Sequence, residues 1–339
     1  MDLKELTIAL CSLPGPSGFE EDVRRYAADY LKPFADEVKT DVMGNLMAWK
    51  RCGRESAGTI LLDAHMDEIG LIVTGAENGF LRFETVGGVD QRMLPAREVR
   101  ILTEPRLFGV IDVMPPHVLK AEDMDKSIEV KDLAIDAGLT QEEAERLVPP
   151  GTPAVYEAGC RPLGKNKLCG KALDDRACAA ILIKAFEELC GKQLSADICL
   201  LLSTQEEVGG RGAVTGAWNA DPDLAIVVDV THARTPDSKH VPLTLGGGAA
   251  IGIGPNMNRA QTRRLFDLAK ERDIKVQTEV CPGRSGTNAE EIQFSRMGVA
   301  TVLISLPLRY MHTPVETADL SDMESVCRLA AACAETWEG

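Results

Sequence analysis

The sequence predicts an α/β fold with a small β-rich domain inserted into it. Apolar strand-like segments alternate with helical patterns near the start of the chain and again after residue 161, which is typical of a sheet covered by helices. Between these regions, short β-like segments alternate with turns. A chain of 339 residues is long for one typical domain. We therefore assign residues 1–71 and 162–339 to one α/β domain and residues 72–161 to the insertion.

The composition excludes several classes of protein. The formal net charge of −15 argues against nucleic acid or an anionic membrane as a partner, because both attract basic surfaces. No apolar run approaches the roughly 20 residues that span a bilayer, and the N-terminal segment does not resemble a signal peptide, so we expect a cytoplasmic protein. The ten cysteines are scattered without a CxxC pair, which is typical of reduced core thiols.

The first segments predict two helices and a hairpin. A helical period over residues 2–13 ends at a proline- and glycine-rich cluster, and a second helix spans about 20–31. Two short strands, at about 36–42 and 46–49, are joined by a Gly-Asn turn.

A buried strand then leads into His65 and Asp67. Alternate residues of an extended chain share a face, so both side chains can contact the same object. An imidazole that binds a metal commonly donates its other N–H to a carboxylate, and Asp67 is well placed for that role. The alternative is that this histidine and this acid have no functional role.

The insertion contains short β-like segments, a charged stretch at 120–131 and one helix. Thr140 is the predicted N-cap of that helix, and Glu143 completes a capping box. The β-like segments lie at 80–85, 98–102 and 107–112.

Asp174 lies at the junction between an extended segment and a strong helix over about 175–190. A carboxylate at such a junction often only caps the helix, so both capping and a functional role stay open.

Glu206 and Glu207 follow the apolar strand 198–202 and precede a glycine-rich turn and a short helical pattern. Ligands gather at that end of a strand in open α/β sheets. Adjacent side chains of an extended segment point to opposite faces, so we expect two different roles, one binding a metal and one moving a proton. A solvated acidic turn is the alternative.

The C-terminal part repeats this arrangement. Asp229 follows a strand at 223–228, and His312 follows a strand at 300–305, although a loop histidine is the alternative for His312. A glycine-rich region at 246–256 lacks the spacing of a phosphate-binding loop, and we assign its glycines to turns. Helices at 259–271 and 320–337, a strand at 275–280 and a polar loop at 282–289 that precedes another helix complete the chain. His117, His232 and His240 are interpreted as surface or structural.

Five elements of the chain therefore end in a candidate ligand. Two imidazoles and three or four carboxylates suit a two-metal site that holds zinc, cobalt or manganese. Metals in such sites lie about 3.5–4 Å apart, so one carboxylate can bridge them. The candidates are His65, Asp174, Glu206, Glu207, Asp229 and His312.

The motifs HMDEIG, ALDDRA, QEEVGGRGA, VVDVTHA and RYMHTPVE, in this order, resemble those of the glutamyl and tetrahedral aminopeptidases. These are dinuclear metallopeptidases, some of which carry an endoglucanase label. The resemblance covers nearly the whole chain, including PGPSGFE near the start and GPNMN later. It implies a mixed central sheet flanked by helices, and it makes the insertion a dimerisation domain.

The resemblance also implies a role for each candidate. Asp174 would bridge two divalent ions, zinc or else cobalt or manganese. His65 and Asp229 would complete one ion's ligands, and Glu207 and His312 the other's. Glu206 would be the general base and Asp67 would orient His65. The reaction would remove the N-terminal residue of a peptide, within a dodecamer built from dimers.

Three positions bear on the substrate pocket. Cys178 stands where the family usually has glycine, and Asn288 where aspartate is common. Arg284 could pair with an acidic substrate side chain, which would fit a preference for acidic N-terminal residues, or could be a solvated arginine.

Other functions compete with this interpretation. A two-metal deacylase or dipeptidase would use the same ligands. Glycoside hydrolysis needs two carboxyl groups about 5–9.5 Å apart across a sugar bond, and it leaves the histidines unexplained. A non-enzymatic assembly or binding protein leaves the whole ligand set unexplained.

Overall fold

The structure of the chain is a computed structural model that describes residues 1–118, 128–238 and 240–338. Most of the predicted charged stretch at 120–131 lies outside these residues. Within them, no helix has the length and apolar character needed to cross a bilayer.

All the predicted helices are present, including the two short ones expected after the glycine-rich turn and after the polar loop at 282–289. The capping box of Thr140 and Glu143 is present, as predicted. The described α-helices are α1 (Leu3–Ser12), α2 (Glu21–Leu31), α3 (Gln141–Leu147), α4 (Leu173–Cys190), α5 (Arg211–Ala220), α6 (Arg259–Glu271), α7 (Ala289–Ile292) and α8 (Leu320–Glu335).

The strands are more numerous than predicted. Short 3₁₀ turns occur at Gln91–Met93, Pro116–Val118 and Val130–Asp132. The described strands are β1 (Glu37–Thr40), β2 (Leu46–Lys50), β3 (Thr59–His65), β4 (Gly70–Glu77), β5 (Phe80–Val86), β6 (Glu98–Ile101), β7 (Leu107–Ile111), β8 (Ile135–Asp136), β9 (Pro153–Tyr156), β10 (Arg161–Leu163), β11 (Lys167–Gly170), β12 (Asp197–Ser203), β13 (Leu224–His232), β14 (Ala249–Ile253), β15 (Val276–Val280), β16 (Ala300–Arg309) and β17 (Glu316–Asp319).

A mixed sheet forms the centre of the α/β part. In the described chain its main path is β1-β2-β12-β3-β13-β16-β17-β11-β10, and β14 joins β16 to β15. The middle strands β12, β3, β13 and β16 are parallel. Ser203 pairs with His65, and Asp229 with Ser305, so these strands end at one edge of the sheet. The candidate ligands gather at that edge.

Each face of the sheet has its own core. Along β12, Leu200 and Leu202 enter the core formed with α1, α4 and α8. Cys199 and Leu201 enter the opposite core, formed with α5 and α7. Alternate side chains of a strand point to opposite faces, and a strand covered on both faces is apolar at every position. The continuous apolar runs in the sequence follow from this burial.

The insertion folds as a closed barrel. Among the described residues its strands follow the order β4-β5-β8-β7-β6-β9 and enclose a separate core. The predicted β-like segments correspond to β5, β6 and β7, whereas β4, β8 and β9 were not predicted. The barrel strands run from Gly70 to Tyr156. The limits at residues 71/72 and 161/162 and a role in dimerisation stay predictions.

In the α/β part, two predicted strands were too short, and β14 was not predicted. β13 continues through Asp229 to His232, and β16 continues to Arg309, because the two strands pair along their whole length. Gly246 and Gly248 lie in a turn, as expected, but the prediction of a turn at Gly252 is wrong. That residue lies in β14, where its backbone pairs with β15.

Asn45 connects the β1–β2 hairpin to the segment after β12. Its side chain is fully buried. The amide nitrogen donates to the Gly212 carbonyl (2.9 Å) and Thr215 Oγ1 (3.0 Å), and the amide oxygen accepts from the Thr204 N–H (3.0 Å). The Asn45 side chain therefore anchors the start of the turn that carries the paired glutamates.

We expect Asn45→Ala to lower the free energy of unfolding by about 2–4 kcal/mol, because it leaves the buried Thr204 N–H and Gly212 carbonyl without their partner. Urea unfolding followed by circular dichroism measures the change. Asn219→Ala, on the exposed face of α5, is the matched control and should change stability by less than about 0.5 kcal/mol. Equal effects of the two substitutions would contradict the anchoring role.

Candidate active site

Asp67 organises one side of the site. The carboxylate is fully buried and lies 3.3 Å from His65 Nδ1. It accepts hydrogen bonds from Ser17 Oγ (2.6 Å) and from the backbone N–H groups of Glu206 (3.0 Å) and Glu207 (3.2 Å). Burial alone would raise the pKa of Asp67, but these partners and His65 outweigh burial and lower it. One carboxylate thus joins β3 to the glutamate turn.

Asp174 lies between the two predicted histidines. Its Oδ1 is 3.2 Å from His65 Nε2, and its Oδ2 is 3.2 Å from His312 Nε2. The first turn of α4 has no side-chain cap, and Asp174 itself has non-helical backbone angles. Burial opposes ionisation of Asp174, but the two imidazoles lower its pKa overall. The carboxylate therefore faces the histidines, and capping does not account for it.

His312 is held by groups on three sides. Its Nε2 lies 3.3 Å from Glu207 Oε2, and its Nδ1 lies 2.9 Å from the carbonyl oxygen of Gly88, which belongs to the insertion. Burial favours the neutral ring, but Asp174 and Glu207 prevail and raise the pKa of His312 to about 11. The contact with Gly88 directs Nε2 toward the carboxylates.

The paired glutamates lie in a turn, which corrects the prediction of an extended segment. β12 ends at Ser203, and Gln205 has a left-handed φ of 57°. Both Glu206 and Glu207 line the same cleft. Burial raises the pKa of Glu206 to about 8, with Glu207 and Asp174 adding to the shift against the influence of His65. Glu206 and Glu207 therefore differ in their surroundings because of this turn, and not because neighbouring side chains of a strand point to opposite faces.

Asp229 is close to an acid that sequence analysis missed. His65, Asp175 and Asp229 offer ligand atoms that all lie within 4.8 Å of one another, and so do His65, Asp174 and Glu207. Asp175 is fully buried, and its Oδ2 accepts the backbone N–H of His65 at 3.3 Å. The two adjacent aspartates of the ALDDRA motif were a signal for this residue.

Glu316 is a second missed residue. It is buried, and its carboxylate accepts the backbone N–H groups of Asp174 (3.0 Å) and His312 (2.9 Å). Burial, followed by repulsion from Asp174, raises its pKa. The last acid of the RYMHTPVE motif thus ties two ligand-bearing segments together.

The remaining sequence candidates lie around this centre. Cys178 is fully buried, and Asn288 Nδ2 donates to Asp63 Oδ2 and Ser203 Oγ, each at 2.9 Å. His117 and His240 are exposed and do not line the cleft, whereas the exposed His232 lies in its lining, as given below.

An open cleft of about 440 Å³ contains the site. Among the described residues, no lysine or arginine lines it. Arg284 is 86% exposed and pairs with Glu290 at 2.9 Å outside the lining. The cleft is lined by His65, Gly88, Asp174, Glu206, Glu207, Asp229, Val230, Thr231, His232, Glu279, Ser285, Gly286, Met311 and His312.

The donor set fits divalent cations. Glu207 Oε1 and Asp175 Oδ1 are buried and have no hydrogen-bond partner in the described structure. Buried carboxylates without partners are costly unless a cation compensates them. Imidazole nitrogen and carboxylate oxygen are the ligands of zinc and related metals.

Comparison with known proteins identifies the family. A family model described as M42 glutamyl aminopeptidase matches residues 44–329. The chain belongs to this family. A similar relative is the lysyl aminopeptidase of Pyrococcus furiosus, which is 37% identical over 338 residues that cover 98% of this chain and 96% of the relative.

Solved structures of M42-like enzymes have the same fold. An aminopeptidase from the archaeon Desulfurococcus kamchatkensis superposes with a TM-score of 0.90 at 35% identity and covers 99% of this chain and 95% of its own. The TET1 peptidase of Pyrococcus horikoshii, which assembles into a tetrahedron or a large octahedral shell, gives a TM-score of 0.87 at 34% identity, over 99% of this chain and 100% of its own. The predicted family, fold class and enzyme class are thus confirmed: this M42 chain is an aminopeptidase.

We expect Gly88→Ala to lower kcat/KM of this M42 aminopeptidase by about 10- to 100-fold, because the added Cβ would displace the His312 ring from Asp174 and Glu207. An added Cβ would lie 2.8 Å from His312 Nδ1 and 2.9 Å from its Cε1. Hydrolysis of aminoacyl p-nitroanilides measures the effect. Gly75→Ala, on β4 of the same barrel and with open space around its Cβ, is the control. Wild-type activity of Gly88→Ala would refute this role of the insertion.

Proposed function

We propose that this aminopeptidase hydrolyses the first peptide bond of a substrate at a centre of two divalent ions in the cleft. The observation that carries the proposal is Asp174, whose two oxygens face the Nε2 atoms of His65 and His312 at 3.2 Å each. A carboxylate in this position can serve two ions at once. The family's metallopeptidase character supports the same conclusion.

The proposed ligands are those expected from the sequence. His65 and Asp229 would hold one ion, Glu207 and His312 the other, and Asp174 both. The two close groups of donor atoms contain His65, Asp174, Glu207, Asp229 and also Asp175. Support for His312 comes from its distances of 3.2 Å to Asp174 Oδ2 and 3.3 Å to Glu207 Oε2. Zinc, cobalt or manganese would fit these donors.

Bound divalent ions would acidify the attacking water and polarise the scissile carbonyl. The Glu206 carboxylate takes a proton from that water and returns it to the nitrogen of the leaving peptide. Asp67 keeps His65 in one orientation through Nδ1 and holds the backbone of Glu206 at the same time. The negative cleft attracts the protonated N-terminus of the peptide and repels carboxylates.

A related deacylase or dipeptidase would need the same ligands, so the site alone does not separate these reactions. The aminopeptidase relatives favour removal of single residues. The family description names glutamyl substrates, and the Pyrococcus furiosus relative is a lysyl enzyme, so the names differ on the preferred residue. A cytoplasmic location stays a prediction from the sequence.

We also propose that the chain assembles into a homo-oligomer, a dodecamer built from dimers, as a similar TET1 structure that contains a dodecamer suggests. The outer face of the barrel supports this idea. On β7, Gly109 and Ile111 point inward, whereas Phe108 is 56% and Val110 38% exposed. Val113 and Met114 extend the exposed apolar surface, and such surfaces often mark interfaces.

We expect the wild-type enzyme to lose activity on chelation and to regain it with zinc, cobalt or manganese. Glu206→Gln should lower kcat by about 10²- to 10⁴-fold, because it removes the proton carrier. Elemental analysis should still find two ions per chain in this variant. Hydrolysis of aminoacyl p-nitroanilides and plasma mass spectrometry measure both quantities. Full activity of the chelated enzyme or of Glu206→Gln would refute the mechanism.

We expect light scattering after size exclusion to give twelve times the chain mass for the wild type. Phe108→Glu should reduce that mass, because it places a charge on the apolar face of the barrel. Val42→Glu, the same change at an exposed position of the β1–β2 hairpin, is the control. An unchanged mass for Phe108→Glu, or an equal loss in both variants, would contradict a barrel-mediated contact.

A further inference from the structure

Glu279 is a cleft residue that the catalytic centre does not use. It lies on β15 and lines the same cleft as the ligand candidates, but it belongs to neither close group of donor atoms. Two hydroxyls fix its carboxylate: Thr231 Oγ1 donates to Oε1 and Ser305 Oγ donates to Oε2, each at 2.5 Å. The side chain is therefore oriented before any ligand arrives.

The Glu279 carboxylate has no cationic partner in the described part of the chain. Within the described ranges, no lysine, arginine or histidine nitrogen lies within ion-pair distance of it, although the residue is half-buried. An ionised carboxylate offers about four acceptor sites, and the two hydroxyls occupy two of them. Acceptor capacity thus remains for a donor that enters the cleft.

The surroundings of Glu279 suit a long side chain with a charged end. Val230 and Met311 give the cleft apolar surface, which can contact methylene groups. Ser285 and Gly286 border the same space, and Gly286 has no side chain to fill it. A lysine or arginine side chain combines an apolar stem with a cationic end.

We propose that Glu279 selects a lysine or arginine as the N-terminal residue of the peptide. The proposal rests on the aminopeptidase function proposed above. The ammonium or guanidinium of the substrate donates to the Glu279 carboxylate, while its free α-amine remains at the catalytic centre. Thr231 and Ser305 hold the carboxylate in place for this contact.

An acidic preference lacks the corresponding support. Arg284, the residue that suggested it, is already paired with Glu290 and does not line the cleft. An acidic substrate side chain would instead meet Glu279 and the other carboxylates of the lining. Like charges within one cleft repel, so aspartyl and glutamyl peptides should be poor substrates.

The test compares wild type and Glu279→Gln on lysyl, arginyl, leucyl and glutamyl p-nitroanilides, each enzyme loaded with the same metal. Glutamine keeps the shape and can still bond to both hydroxyls. We expect the ratio of kcat/KM for lysyl to leucyl substrate to fall about tenfold to a hundredfold, the range for losing one charge-assisted hydrogen bond. The change should appear mainly in KM, because the contact exists in ground and transition states alike.

The ratio of two substrates does not depend on the fraction of active enzyme, so a partly misfolded variant still gives an answer. Glu271→Gln removes one carboxylate from the exposed end of α6, where it pairs with Arg264, and should leave the ratio unchanged. An equal loss on all substrates would overturn the proposal, because Glu279 would then support the centre itself. A wild type that prefers glutamyl over lysyl substrate would also overturn it.

Failure of the underlying function has a different signature. If wild type releases none of the four leaving groups with zinc, cobalt or manganese, the aminopeptidase mechanism fails and selectivity cannot apply. If wild type cleaves leucyl substrate but Glu279→Gln keeps the lysyl preference, only the assignment of Glu279 is refuted.

Discussion

The site depends on the concentration of buried carboxylates around two imidazoles. Five of these acids are less than 10% exposed, and their mutual repulsion disfavours the folded chain unless cations or hydrogen bonds compensate it. The fold supplies part of this compensation through backbone N–H groups and the histidines. The buried acids are Asp67, Asp174, Asp175, Asp229 and Glu316.

Backbone geometry places these groups where regular structure could not. Ala172, Gln205 and His312 have left-handed φ values of 57°, 57° and 63°. Such conformations cost non-glycine residues on the order of 1–3 kcal/mol and concentrate at functional sites. Ala172 and Gln205 lie just before Asp174 and Glu206, and His312 is itself a site residue. Each lies where the chain leaves a strand and must turn back toward the cleft.

The barrel contributes to the site although its fold is separate. Gly88 reaches His312 from the insertion, and an added Cβ at Gly87 would lie 3.2 Å from the Cβ of Glu207. The chain enters the barrel five residues after His65 and returns to the sheet through β10 and β11, just before Asp174. Association through the barrel would therefore act on a body that touches the catalytic groups.

The sequence by itself determined the order of the strands and helices that carry the site. Apolar runs that end in His65, Asp174, Glu206 or Asp229 predicted an α/β fold, and their motifs predicted the family. These signals are local, because burial on both faces makes a strand apolar and a ligand lies at its end.

Only the tertiary structure decided which groups meet. Asp175 and Glu316 accept hydrogen bonds from backbone N–H groups of distant segments, and no local pattern shows which backbone groups they meet. Glu279, which the sequence did not single out, lines the cleft, whereas Arg284 does not, since the cleft lining depends on how β15 and the following loop pack. Contacts between residues far apart in the chain arise from packing, which sequence periodicity does not encode.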